Sequence, residues 1–288
     1  IQRYRDSIQF IWDQTARYAN LGLALDEIIH KIKLPIVFET DFHTQQLYGV
    51  VEHHVRQVYT GLFGWFDEDP GKLFPLAPAE RATKMIKAFG GRHLMRAAFD
   101  EALAAKDYRW ALELGQLLVS DPAAEDAQTD KARLASGLRQ VAFCSPAANI
   151  RNWCLTRALE LEGSIDLSRF RIHRFREQEV LSGFGARWVP ILRVLLDAEA
   201  ATGFYGSLGF EFDDGSTAGL LIRHSVAVPV SKNECDLQIT LSVGLWAKLL
   251  AGKTTLSAVL AEQPELGDEK TAQIKALLGL FDVMSFKR

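Results

Sequence analysis

This sequence has few of the residues that mark a metal site or a disulfide-stapled protein. It contains three cysteines, Cys144, Cys154 and Cys235, which form neither a CxxC pair nor a Cys/His spacing typical of zinc. We interpret them as small buried thiols. The sequence also lacks a His-x-His pair, since its neighbouring histidines are His53 and His54. These absences predict that this chain itself binds no metal ion.

An excess of positive charge and long hydrophobic runs are lacking as well. Lys and Arg number 33 against 36 Asp and Glu, which gives a net charge of -3. Because nucleic-acid-binding domains usually present a basic face, we expect no nucleic acid partner. No apolar run approaches the roughly 18 to 20 residues that cross a bilayer, so we expect no transmembrane segment. The chain begins with Ile1 and not with Met, and we therefore expect it to be part of a longer polypeptide.

The first half of the chain carries hydrophobic residues at helical spacing. Pro78 is expected to open one helix, because proline is favoured in the first helical turn. Four more helices are expected, near 93–105, 107–120, 124–143 and 147–162. Alanine and glycine on these segments allow neighbouring helices to approach closely. The pattern predicts a mainly α-helical, tetratricopeptide-like array over residues 1–165.

After Gly163 the periodicity changes. Residues 166–186 are basic and irregular, and we interpret them as a linker or arm. One amphipathic helix is expected over 191–199. Alternating polar and apolar residues then predict strands at 204–212, 216–224, 225–230 and 235–241. Helices are expected to follow at 243–250, 255–262 and 269–281. Residues 187–288 are thus predicted to form an α+β domain in which helices pack against an antiparallel sheet.

One segment of the helical half gathers imidazole, guanidinium and aromatic groups. His53 and Arg56 lie three residues apart on a predicted helix, and Trp65 follows in the next loop. Such a cluster suits a helix end that faces a cleft, where a cation and an aromatic wall hold an anionic, partly apolar ligand. The alternative is a buried aromatic corner, in which Arg56 pairs with Glu52 within the helix. Elsewhere, Tyr59 and Trp110 are expected in the core.

The order of several motifs resembles one family. The run 48–59, followed by Gly64-Trp65-Phe66-Asp67 and Pro70, is similar to the helical dimerisation region of the alkyl sulfatases. These are metallo-β-lactamase-type enzymes that hydrolyse alkyl sulfate esters. The runs 5–9, 107–111 and 152–161 are similar to that family too. At the level of pattern, runs 221–224, 236–241 and 249–253 resemble the sterol-carrier-like domain that ends those enzymes.

The resemblance implies that the catalytic part of the enzyme lies outside this chain. In the family, an N-terminal domain binds two zinc ions through a His-x-His-x-Asp-His motif, and this chain has no such motif. It is therefore expected to be inactive by itself, with no catalytic residues and no cofactor of its own. Its implied partners are a second copy of itself in a homodimer, the metallo-β-lactamase-type domain, and an alkyl sulfate or another amphiphilic substrate.

The resemblance also implies which residues line the substrate cleft. His53 stands at the position of a histidine that the family carries, and Trp65 stands where relatives carry an aromatic residue. Arg56 is added because its guanidinium could bind a sulfate in bidentate fashion and it lies on nearly the same helix face as His53. The expected substrate-binding residues are therefore His53, Arg56 and Trp65. Glu68 and Asp69 replace a Gly-Asn pair that is common in the family. They add negative charge where the anionic sulfate group of a substrate is expected to enter the cleft.

Two other functions fit the same sequence. The α+β domain could be a lipid-binding module that encloses an acyl chain, unless its own side chains fill the groove. The helical array could instead be a protein-assembly scaffold without catalysis.

Overall fold

The chain forms two compact units, Ile1–Leu167 and Ser168–Arg288. The computed structural model describes residues 1–123, 126–171 and 175–287. Residues 172–174 of the predicted arm and the first two residues of the predicted helix 124–143 lie outside the described residues. The ranges 1–165, 166–186 and 187–288 remain predictions.

The first unit is helical throughout its regular structure. Its described helices are α1 (Gln2–Asn20), α2 (Leu25–Lys31), α3 (Ile36–Glu39), α4 (Val51–Phe63), α5 (Pro78–Ala88), α6 (Arg92–Ala104), α7 (Tyr108–Ser120), α8 (Ala127–Cys144) and α9 (Ala148–Leu161). Pro78 occupies the first turn of α5, and the Asp107 side chain caps α7 by accepting a hydrogen bond from the Trp110 amide at 3.3 Å. The predicted helical array is confirmed, with helix ends within a few residues of those expected.

Hydrophobic clusters hold the first unit together, and one of them joins α7, α8 and α9. A second joins α1, α2 and α4 and includes Ile11, Ile28 and Val55. A third joins α5, α6 and α7 around Phe99 and Leu114, both of which are fully buried. Apolar burial of this kind is the main stabilising contribution to helix packing.

A buried ionic network links α5, α6 and α8. The Asp130 carboxylate, which is completely buried, accepts hydrogen bonds from Arg92 Nη1 at 2.5 Å and from Arg96 Nε at 2.7 Å. Arg92 also bonds to Asp121, which accepts a further bond from Thr83 Oγ1 at 2.7 Å. Burial raises the pKa of Asp121, but the bonds from Thr83, the Ala123 amide and Arg92 outweigh it and hold the pKa below its ordinary value of 3.8.

The second unit is built on a four-stranded sheet of order β3-β2-β1-β4. The strands are β1 (Gly206–Phe212), β2 (Thr217–Arg223), β3 (Val226–Val230) and β4 (Leu237–Leu241). β1 and β2 form an antiparallel hairpin, and β3 continues it in antiparallel pairing with β2. β4 runs parallel to β1. The sheet is therefore mixed and not wholly antiparallel as expected, because β4 returns to pair with β1 on the side away from β2.

Short helices surround the sheet. The described ones are α10 (Ser168–Arg171), α11 (Glu177–Leu181), α12 (Val243–Leu250), α13 (Leu256–Ala261) and α14 (Gly267–Leu278). The last three agree with the sequence-based expectation, and the predicted α+β class is confirmed.

The helix expected over 191–199 does not form. Pro190–Leu195 is a short 3-10 helix, and the chain then leaves it to pair with the C-terminal segment. The Asp197 amide donates to the Leu280 carbonyl at 2.8 Å, and the Asp282 amide donates to the Leu195 carbonyl at 2.7 Å. Those long-range backbone bonds take the place of the helical ones.

Side chains of the unit itself fill the centre of the space between the sheet and the helices, while a cavity of about 480 Å³ opens between the start of β1, the start of β4 and α14. Trp246, Phe210 and Phe281 are fully buried there, and Phe212 lies 6.0 Å from Trp246 between ring centroids. Such interdigitated aromatic packing leaves no open groove at the centre of this cluster. Throughout the part of the chain that the structure describes, no helix combines the length and apolar character needed to span a bilayer.

Candidate functional site

The N-terminus of α4 places two neighbouring histidines at two different cavities. Val50 is extended, and the first helical amide, that of Val51, donates to Gln46 Oε1 at 2.8 Å. His53 lines a pocket of about 620 Å³, here called the His53 pocket, and His54 lines another of about 290 Å³. Successive helical residues point about 100° apart, which explains the separation. Burial lowers the pKa of His54, and the adjacent His53 lowers it further.

Residues from α4, α7, α8 and α9 converge on the His53 pocket. Its lining residues are Gln46, Val50, Glu52, His53, Tyr108, Arg109, Leu112, Val141, Cys144, Ser145, Pro146, Ile150, Trp153 and Cys154. The volume lies within the range of ordinary small-molecule sites. Most of these side chains are apolar, aromatic or sulfur-bearing.

An aromatic pair stands at this pocket. The His53 and Trp153 rings lie 6.0 Å apart between centroids and are tilted by 34°. Trp153 is 61% exposed, although a tryptophan of a helical array is usually packed inside. The pair therefore offers an aromatic surface to whatever enters the pocket.

One ion pair belongs to the pocket lining. Arg109 Nη1 and Nη2 donate to the two Glu52 carboxylate oxygens at 3.2 Å and 2.5 Å, a two-pronged arrangement. Burial raises the pKa of Glu52, but Arg109, with the charges of His30 and Lys33, holds that pKa below its ordinary value. The hydrogen bonds that Arg109 donates to Glu52 raise the pKa of Arg109. Both groups are thus ionised around neutral pH.

Two thiols lie in the same lining. Cys144, at the end of α8, is exposed, and its Sγ donates to the Tyr108 hydroxyl at 3.8 Å. Cys154, on α9, is half-buried, and burial raises the pKa of its thiol. The expectation that the cysteines are buried is wrong for Cys144 and holds fully for Cys235 in the second unit.

The structure does not bring the three expected substrate-binding residues together. Of His53, Arg56 and Trp65, His53 lines the His53 pocket and the other two do not. Arg56 Nη2 donates to Asp26 Oδ1 at 3.1 Å, whereas Glu52, its partner in the alternative interpretation, is bound by Arg109. Trp65 is 78% exposed and lies against Phe66, with ring centroids 5.7 Å apart.

Two aromatic residues, Tyr59 and Trp110, are predicted to lie in the core, and the two predictions have opposite outcomes. Tyr59 is buried as expected. Trp110 is 40% exposed, so its expected place in the core is wrong. It directly follows Arg109, whose guanidinium is held at the surface by Glu52.

Reasoning from the local sequence did not single out three residues of the His53 pocket: Tyr108, Arg109 and Trp153. All three lie in motifs that resemble the alkyl sulfatases, and that resemblance was the signal available. Their meeting with His53 depends on packing between helices that are far apart in sequence.

The donor chemistry of the described residues does not fit a zinc ion. In ranges 1–123, 126–171 and 175–287, no group of three or more His, Cys, Asp and Glu side chains is placed to hold a metal. Zinc sites need three or four such ligands around one point.

Comparison with known proteins identifies the family. Residues 24–164 match the family described as alkyl sulfatase dimerisation. A linear primary-alkylsulfatase of Pseudomonas sp. is 34% identical over 299 residues, which cover 96% of this chain and 54% of the relative. An alkyl/aryl-sulfatase of Saccharomyces cerevisiae is 27% identical over 286 residues, covering 98% of this chain and 43% of the relative.

A solved structure agrees with these sequence relatives. The stereoselective inverting sec-alkylsulfatase Pisa1 of Pseudomonas sp. superposes with a TM-score of 0.78 at 25% identity, covering 96% of this chain and 44% of that one. The chain therefore belongs to the alkyl sulfatase family, whose dimerisation domain it carries. It spans about half the length of the curated relatives it matches.

Proposed function

We propose that this chain is the dimerisation and substrate-presenting half of a zinc-dependent alkyl sulfatase-type hydrolase. The observation that supports this most is the match of 24–164 to the dimerisation family, together with relatives that are about twice as long. Two zinc ions would be bound by a metallo-β-lactamase-type domain in the other half, because the described residues here do not fit zinc. The assembled enzyme is a homodimer that cleaves alkyl sulfate esters.

In this proposal the His53 pocket forms part of the substrate cleft. His53 is the expected substrate-binding residue that lies in a cavity of ligand size. Arg56 and Trp65 would contact substrate only outside this pocket, since Arg56 is engaged by Asp26 and Trp65 lies in the exposed loop after α4.

The second unit would be the sterol-carrier-like domain. Its mixed sheet with α12, α13 and α14 is compatible with that assignment. Because its central cluster is filled by Trp246, Phe210 and Phe281, we favour a role in supporting the enzyme over that of an acyl-chain carrier.

The test is turnover of dodecyl sulfate by the full-length polypeptide that contains this chain. We expect zinc-dependent release of sulfate, loss of activity on chelation and recovery when zinc is returned. The isolated 288-residue chain should be inactive.

A matched pair of variants examines the pocket. His53→Gln should lower kcat/KM at least tenfold, whereas His43→Gln, at a histidine whose side chain is 78% exposed and outside the His53 pocket, should not. Metal-loaded full-length protein without any turnover would contradict the proposal.

A further inference from the structure

The first helix of the chain carries more apolar surface than its own unit covers. We propose that the exposed apolar side of α1, formed by Tyr4, Ile8 and Trp12 and here called the α1 stripe, is the contact surface for the metal-binding half of the same polypeptide. The identity of this partner rests on the proposed function, whereas the need for a partner rests on the geometry of α1. The occupant of the stripe is thus an apolar surface of another domain.

The α1 stripe runs beside the face of α1 that packs into the unit. Ser7, Ile11 and Thr15 are buried, and Ile11 belongs to the hydrophobic cluster of α1, α2 and α4. Because each residue advances a helix by about 100°, residues four apart lie side by side, and the stripe follows the edge of this buried face. Its three side chains are 55%, 54% and 49% exposed in chain order. The apolar arc of α1 is therefore covered on one side only.

The remaining face of α1 is polar, as expected of a helix side that stays in water. Gln9 Nε2 donates to Asp13 Oδ2 at 3.2 Å, and Arg3 Nη1 donates to Asp41 Oδ2 at 2.9 Å. Polar groups thus pair with one another on that face. The distribution is that of a helix covered on its buried face and on the stripe, with water on the third side.

The stripe is large enough to form the centre of a contact between domains. Tyr and Trp side chains bury roughly 150 to 250 Å² each, so three half-exposed side chains leave on the order of 300 Å² of accessible apolar surface. Tyr48, which is 74% exposed, lines a cavity of about 290 Å³ together with Tyr4 and Ile8 and extends this surface. Contacts between domains of one chain bury roughly 600 to 1,500 Å² in total, and about 300 Å² on one side reaches the lower end.

The α1 stripe lies outside the part of the chain that matches the dimerisation family. That match covers residues 24–164, and α1 ends before it, at Asn20. The match to the alkyl/aryl-sulfatase of Saccharomyces cerevisiae covers 98% of this chain and so extends into α1, but it covers 43% of the relative. In that relative, α1 is therefore joined to a larger part that this chain does not contain. A second copy is expected to cover surfaces within 24–164, which leaves the other half as the occupant of the stripe.

Hydroxyl-radical footprinting with peptide mass spectrometry tests the proposal on intact polypeptides. The oxidation rates of Tyr4 and Trp12 are measured in the isolated chain and in the full-length polypeptide. Because the core of an interface is almost fully buried, both half-exposed rings should be oxidised about fivefold more slowly in the full-length polypeptide. Tyr205, which is 71% exposed in the second unit, is the internal control and should be oxidised at the same rate in both.

Three results would overturn the proposal. Equal oxidation rates of Trp12 in the two polypeptides would mean that the stripe remains in water. Equal shielding of Tyr205 would mean that the shielding is not specific to α1. Shielding of Trp12 that increases with the concentration of the isolated chain would assign the stripe to a second copy.

A matched pair of variants tests the contact by disrupting it. In the full-length polypeptide, Ile8→Glu should return the oxidation rate of Trp12 to that of the isolated chain, because an unpaired charge is costly in an apolar contact. Gln9→Glu places the same charge on the polar face of α1 and should leave Trp12 shielded. Since Ile8 is half-exposed, Ile8→Glu should leave thermal unfolding of the isolated chain unchanged, and Tyr4→Ser replaces it if the midpoint falls. Full shielding of Trp12 in the stripe variant would contradict the contact.

The outcome is separable from that of the proposed function, since footprinting requires no turnover. Zinc-dependent hydrolysis by a full-length polypeptide whose Trp12 remains exposed would overturn the α1 stripe and leave the proposed function. A shielded Trp12 in metal-loaded full-length polypeptide without turnover would do the reverse.

Discussion

The charge of Asp130 is expected to be a major source of stability in the helical unit. In Asp130→Asn, two guanidinium groups lose a fully buried carboxylate that accepts from Arg92 and from both Nε and Nη2 of Arg96. Removing one partner of a buried ion pair costs about 3 to 5 kcal/mol. Because Arg92 retains Asp121 and Arg96 is partly solvated, we expect the lower figure, about 3 kcal/mol.

The measurement is thermal unfolding followed by the helical circular dichroism signal and by calorimetry. For a unit of this size a loss of about 3 kcal/mol lowers the midpoint by roughly 6 to 12 °C. Asp100→Asn is the control, since Asp100 faces Arg133 across the same two helices but its side chain is 55% exposed. That pair should contribute about 1 kcal/mol or less. Equal shifts for the two variants would refute the argument that burial sets the cost.

Three further predictions concern pH, packing and metal. Since the folded pKa of Asp121 lies below 3.8, its contribution is complete above that pH and is lost as the pH falls through the folded pKa. The thermal unfolding midpoint, measured by calorimetry at a series of pH values, should thus decrease as the pH is lowered below about 4. In Asp121→Asn this decrease should be less steep. In urea titrations, Gly61→Ala should stabilise by about 0.5 to 1 kcal/mol because a Cβ there meets nothing within 4 Å. Gly115→Ala should destabilise by about 1 kcal/mol because its Cβ would lie 3.0 Å from the Phe99 ring; a gain would contradict the tight packing. Elemental mass spectrometry of the dialysed, isolated chain should find no stoichiometric zinc. Tight zinc binding by this chain would contradict the proposal that the metal site lies in the other half of the enzyme.

Local sequence predicts the helices of the first unit well, for identifiable reasons. Pro78 and Asp107 are start signals that act within one turn, so their effect does not depend on the rest of the fold. The change of period after Gly163 likewise indicates a second type of unit. These features are encoded within about ten neighbouring residues.

The features that sequence missed all depend on distant partners. Arg56 bonds to Asp26, 30 residues away, instead of Glu52 in its own helix. The segment after Pro190 has helical spacing, yet its backbone pairs with residues near Leu280. The His53 pocket likewise depends on α7 and α9 meeting α4, which periodicity within a helix does not specify.

The place of β4 beside β1 affects how the second unit is completed during synthesis. β1 and β2 can pair once their hairpin leaves the ribosome, but β4 reaches β1 only after residues 213–236 have been added. Until then β1 presents an open edge that includes Leu208 and Phe210. Such edges recruit strands from other chains. A chain truncated before Leu237 is therefore expected to aggregate or to be retained by chaperones, even though most of its sheet is already encoded.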